Sequence, residues 1–157
     1  MKTIFKIIAL SAILLILAGG LASCEKKEKC MPFVIVAQGS LVGGEGILQQ
    51  NLVIRTQEEW ENFITTFPDS FSETEIDFST HIVIAVIDEV RPTGGWGIGI
   101  GCITEVSSAE ESFGRVVVVP VIINKPHGRV TLAVTQPYIV IKIPTPIKNI
   151  EFKHIIK

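Results

Sequence analysis

The chain has 157 residues, 47% hydrophobic and 19% charged, with 14 basic and 16 acidic side chains and a formal net charge of −2. That length suits one domain with a real core and is short for two. The composition excludes a disordered chain, the lack of internal repeats excludes a solenoid, and the charge excludes a basic footprint for nucleic acid.

The first residues are basic, with Lys2 and Lys6, and then apolar over 7–17, before a run of small residues ends in Leu21-Ala22-Ser23-Cys24. An apolar run this short reads as a secretion signal and not as a membrane span. Leu-Ala-Ser-Cys resembles the lipobox of bacterial lipoproteins, in which the signal is cut before a diacylated cysteine. The expected organisation is a signal peptide at 1–23, a lipid-anchored tether at 24–32 and a domain at 33–157. Without residues 1–23, which hold two lysines and no acid, the chain has 12 basic and 16 acidic residues and a formal charge of −4. The membrane is therefore an expected partner through the lipid on Cys24 and not through charge. The place is the bacterial cell envelope, with the outer membrane favoured. The charged stretch EKKEK at 25–29 also resembles surface-export signals, so the periplasmic face and the cell surface both stay open.

In chain order, 33–37 and 47–55 read as strands separated by the turn-rich Gly43-Gly44-Glu45-Gly46. Trp60, Phe63, Ile64 and Phe67 then fall on one helical stripe; Thr56 and Glu59 form a capping box, and Pro68 ends the pattern, which predicts a helix over 56–67. The run IVIAVI at 82–87 is continuously apolar and predicts a central strand covered on both faces. Further strands are expected at 96–103, 115–123, 129–135, 138–143 and 147–156, with Pro120 marking an edge or bulge. Alternation in 129–135 sets Val130, Leu132 and Val134 opposite Arg129, Thr131 and Thr135, so one face is wet and the sheet at least partly antiparallel. The fold class is α+β and mostly β: a single domain with a mainly antiparallel sheet, sandwich or barrel, and one packed helix.

Between the strands at 82–87 and 96–103 lies RPTGGW at 91–96, continuing as GIGIGC. Gly95, Gly97, Gly99 and Gly101 share one side of the strand and Trp96, Ile98, Ile100 and Cys102 the other. A phosphate cradle would need a helix N-terminus and Gly-Lys-Ser/Thr after the glycines, and neither follows. No cofactor is expected. His81, His127 and His154 lack metal-site spacing, no nucleophile elbow occurs, and Asp88-Glu89 beside Arg91 reads as a turn with local ion pairing, so neither a metal nor an enzyme is expected. Cys30 and Cys102 sit in a compartment that permits disulfides. Two readings stand: a bridge between tether and glycine-rich strand, or a buried Cys102 with a free Cys30.

Arg91-Pro92-Thr93-Gly94-Gly95-Trp96 after an apolar strand, with Thr135-Gln136-Pro137-Tyr138 before another, resembles the C-terminal domain family of protease complex subunit PrcB. Members typically carry Arg-Pro-Thr-Gly-Gly-Tyr and Thr-x-Pro-Tyr, so Trp96 is a departure. The similarity covers roughly 47–144. It implies a non-catalytic accessory domain, secreted or lipid-anchored, whose expected partner is an envelope or secreted protein such as a protease. A second similarity is to chagasin-type cysteine-protease inhibitors, whose paired loops would correspond to 91–96 and 136–138; the glycine-rich loop between them has no counterpart here. On either reading the candidate partner-binding residues are Arg91, Pro92, Thr93, Gly94, Gly95, Trp96, Gln136, Pro137 and Tyr138. Their other reading is architectural, with glycines making the turn and aromatics filling the core.

Overall fold

A computed structural model describes residues 29–43, 47–67, 71, 75–107 and 115–157. The signal at 1–23, Cys24, most of the tether, Gly44-Glu45-Gly46 and Pro68 lie outside the described residues.

Among the described residues the fold is mostly β, with two stacked sheets and one helix. The first sheet has the order β1-β7-β3-β2, built from β1 (Val34–Val42), β2 (Gln50–Ile54), β3 (His81–Ile87) and β7 (Thr135–Pro144), all antiparallel neighbours. In the second, β6 (Arg115–Asn124) pairs antiparallel with β4 (Gly97–Ile100) and β5 (Thr104–Ser107) and parallel with β8 (Asn149–Ile156). Because β4 and β5 pair with opposite ends of β6, they act as one edge strand broken at Gly101-Cys102. The architecture is an open sandwich, not a closed barrel.

The central strand β3 is covered on both faces, as its apolar run requires. Ile82, Ile84 and Val86 face the second sheet with Ile139, Ile141 and Ile143 of β7, against Val117, Val119, Val121 and Ile123 of β6. Val83, Ala85 and Ile87 face the other way with Tyr138 and Val140. They meet helix α1 (Gln57–Thr66), whose Trp60 and Phe63 are buried, followed by Phe67. Thr56 caps α1 by accepting from the Glu59 N–H at 3.2 Å. Glu59 does not close the reciprocal half of the box: it accepts from the Arg55 N–H, one residue earlier.

Two sequence expectations need correction. The segment 129–134 joins no ladder and all six residues are exposed, because no described strand lies beside it to turn its alternation into pairing. And 136–138 is no turn: it belongs to β7, despite Pro137. The Pro137 carbonyl accepts from the Asp88 N–H, just past the last β3–β7 pair, Ile87 with Tyr138. N–H and C=O of a strand residue point the same way, so the absent proline donor faces a ladder that has already ended. Pro120 follows the same rule inside β6, a central strand. Its carbonyl accepts from Gly101 N–H at the break between β4 and β5.

Side-chain bonds fix how the sheets are stacked. Gln38 of β1 donates to the Ile98 carbonyl of β4 along one flank. Along the other, Asn51 of β2 meets His154 of β8, and Arg55 donates to the carbonyls of Ile147 and Lys148. Cys30 and Cys102 form a disulfide, and Met31 N–H donates to the Ile103 carbonyl at 2.8 Å. The incoming chain is thus fastened midway along the β4–β5 edge before it enters β1.

Candidate functional site

The two halves of the motif meet at one end of the sandwich. Arg91 N–H donates to the Thr135 carbonyl at 2.7 Å and Thr135 N–H to the Arg91 carbonyl at 3.0 Å. Thr135 Oγ1 adds a bond to the Thr93 carbonyl, and Gly94 N–H donates to the Thr131 carbonyl. The loop between β3 and β4 is therefore stitched to the start of β7 at three successive points.

Arg91 is 8% exposed, and Asp88 is buried. Its guanidinium forks onto the Asp88 carboxylate, Nε to Oδ2 at 2.8 Å and Nη2 to Oδ1 at 3.0 Å, while Nη1 reaches Glu89. The guanidinium carbon also lies 4.1 Å from the centre of the Trp96 ring. A fork of this kind compensates two desolvated charges through paired, charge-assisted bonds. The expected exposed turn at Asp88-Glu89 is thus half wrong: local Arg pairing forms, but Asp88 is interior.

Gln136 is fully buried; its Nε2 donates to the carbonyls of Ile47 and Asp88, at 2.8 and 2.9 Å, while its Oε1 is buried without a partner among the described residues. Tyr138 is 3% exposed, edge-on to Phe67 with centroids 4.9 Å apart. Gly39 on β1 leaves room for it: a Cβ there would lie 2.9 Å from the tyrosine hydroxyl. Gly94 is buried under Thr131, and Gly95 takes φ +83 against Pro126, a conformation that favours glycine.

Of the nine candidate residues, the structure brings all into one neighbourhood, yet Arg91, Gly94, Gln136, Pro137 and Tyr138 face inward. Pro92 and Gly95 are exposed, and Thr93 and Trp96 half-buried. The inhibitor resemblance needs 136–138 as a loop beside 91–96. As interior strand with buried side chains, it supplies none.

What the motif end does expose is apolar. Among the described residues the large exposed hydrophobics are Val34, Ile35, Val42, Leu48, Val90, Val130, Leu132, Val134 and Ile156, and all but the first two lie at this end. Register shows it: Val42 pairs with Thr135, Gly43 N–H donates to the Val134 carbonyl, and Val130 touches the space above Gly95. Sequence reasoning did not single out Val42 or Val90, which lie outside every expected element, while Leu48 and Ile156 fall inside the strands expected at 47–55 and 147–156. Val130, Leu132 and Val134 signalled themselves by alternation, and they read as core. No group of three or more metal-ligating side chains occurs among the described residues.

Residues 82–144 match the family model described as PrcB C-terminal. The match starts and stops at paired strands, Ile82 opposite Ile143, and contains both motif halves and everything stitched between them. Helix α1, β1, β2 and β8 lie outside it, so it is shorter than the similarity over 47–144 read from the sequence. Neither among curated proteins nor among solved structures does any significantly match the chain.

Proposed function

We propose that this protein is a non-catalytic, lipid-anchored module of the bacterial cell envelope that binds another envelope or secreted protein and supports a protease complex. The PrcB C-terminal match supports the accessory role. The observation that carries binding is the gathering of seven exposed apolar side chains at the motif end, over a scaffold locked by the Arg91–Asp88 fork. Apolar residues scattered singly on a surface are ordinary, whereas several at one end of a rigid scaffold, carried mostly on its connecting segments, are a common form of protein-binding site. The buried motif residues hold this surface in shape, and Pro92, Gly95 and Trp96 border it.

Photo-crosslinkers placed singly at Leu48, Val90 and Leu132 of the full chain, in its own cell envelope, are expected to capture a common protein partner, with Val34 at the far end as control. Capture from Val34 alone, or from none, refutes the binding surface. Intact mass is expected to show a chain beginning at S-lipidated Cys24; a water-soluble product with another amino terminus refutes the anchor.

A further inference from the structure

We propose, resting on the protein-binding reading above, that residues 129–134 receive an added β-strand: an extended, apolar partner segment flanked by acidic residues. The segment RVTLAV alternates apolar with other residues and is rich in β-branched side chains, the composition of a strand. Yet it lies outside every ladder, with Leu132 90% exposed. Among the described residues none of its six N–H groups has a backbone partner, and only the Thr131 and Val134 carbonyls are engaged, by Gly94 and Gly43. A strand-forming sequence with idle donors is a template for pairing. Main-chain bonds would supply affinity, and alternate side chains meeting Val130, Leu132 and Val134 specificity.

Charge selects the occupant. Lys125, His127, Arg129 and Lys157 are exposed at this end, and the Lys125 N–H bond to the Lys157 carbonyl gathers the two chain segments that carry them. The nearby described acids, Asp88 and Glu89, are paired with Arg91. A basic rim around apolar side chains complements acidic flanks. It repels a second copy of the same segment, since like charges facing one another across a strand pair destabilise it. A lipid surface fits no better, because hydrocarbon offers idle amides no hydrogen-bond partner.

The test is hydrogen–deuterium exchange on the full lipidated protein in phosphatidylcholine nanodiscs, with the peptide EEVTVTVEE as probe. Amides 130–134 are expected to exchange freely alone and to be protected about tenfold or more by the peptide. A peptide N-methylated at alternate residues gives no protection, and lysine flanks weaken binding about tenfold. The Leu132→Asp/Val134→Asp variant, altered only at exposed positions, loses the protection while the β3 and β7 amides keep theirs. No protection at saturating peptide overturns the proposal. So does protection without peptide, which rises with nanodisc lipid if the membrane is the occupant and with protein concentration if a second copy is. If Leu48 and Val90 still crosslink a partner while 130–134 stays unprotected in that complex, strand addition fails and the binding surface stands; with no crosslink at all, the underlying reading fails.

Discussion

Arg91 and Thr135 exchange both of their backbone hydrogen bonds, so two motifs far apart in the chain form a single structural unit. The side chains follow from this. With its backbone fixed on β7, Arg91 has its guanidinium directed at Asp88 and Trp96, inside the end of the sandwich.

Removing one member of the Arg91–Asp88 fork strands the other as an interior charge. Arg91→Ala is expected to lower unfolding free energy by about 3–5 kcal/mol, and Asp88→Leu by a similar amount. The double variant Arg91→Met/Asp88→Leu should recover at least half, in urea titrations followed by tryptophan fluorescence. Purely additive losses would show that the two charges do not stabilise each other.

Two glycines of the same loop-and-strand should respond oppositely to a methyl group. At Gly94 a Cβ collides with Thr131 Oγ1, whereas at Gly99 nothing lies within 4 Å. Gly94→Ala is expected to cost about 1–3 kcal/mol, and Thr131→Ala in the same chain to relieve most of that. Gly99→Ala should be neutral or stabilising by about 0.5 kcal/mol, since alanine loses less backbone entropy than glycine. Thermal melts of the three variants against the parent decide it.

Trp60 is fully buried, with Phe63 and Phe71 at 5.7 and 5.4 Å. Trp60→Ala is expected to cost about 3–5 kcal/mol. A change under about 1 kcal/mol would mean the helix is not seated on the sheet.

Asp77 sits in the turn before β3, where its carboxylate accepts from the Ser79 hydroxyl and N–H and from the Thr80 hydroxyl. These bonds, the Ser79 side chain foremost, hold its pKa below the usual carboxylate value. A lowered folded-state pKa means stability present above about pH 4 and lost as pH falls through the folded value. NMR titration should place the Asp77 midpoint below the ordinary aspartate value. Ser79→Ala should raise it; an unmoved midpoint would contradict the cause given.

Much of this fold is legible in the chain because it rests on periodicity. The stripe of Trp60, Phe63 and Phe67 and the unbroken run at 82–87 report helix and central strand directly, since each records how many faces are covered. Pro137 misled, since it reads as a turn and only the neighbouring strand reveals that its missing donor faces a gap; Pro120 reads correctly as a bulge, for the register shifts by one residue between Ile100–Val121 and Thr104–Val118. The strand at 129–134 misled in the opposite sense, for alternation records a preference while pairing needs a neighbour. The candidate site was legible as a place and not as a surface. Arg91 and Tyr138 look like anchors from their chemistry, but exposure depends on the Asp88 and Gly39 positions that receive them.

The disulfide should be the largest single covalent contribution to stability. Cys30 and Cys102 are separated by 72 positions, and on a loop-entropy basis replacing both by serine costs up to about 4 kcal/mol. Denaturation of that variant against the parent, with and without reductant, measures it. Equal midpoints would leave the bridge without thermodynamic effect.

The same bond decides where mechanical load enters the molecule. A pull on the chain upstream of Cys30 does not reach β1 first, where it would peel the strand from β7 one hydrogen bond at a time. It arrives through sulfur at Cys102, between β4 and β5, and so enters the second sheet at that edge. With the bridge reduced, the force path shifts to Met31 and Phe33 and then to the end of β1, the geometry of a zip fastener opened from its tab.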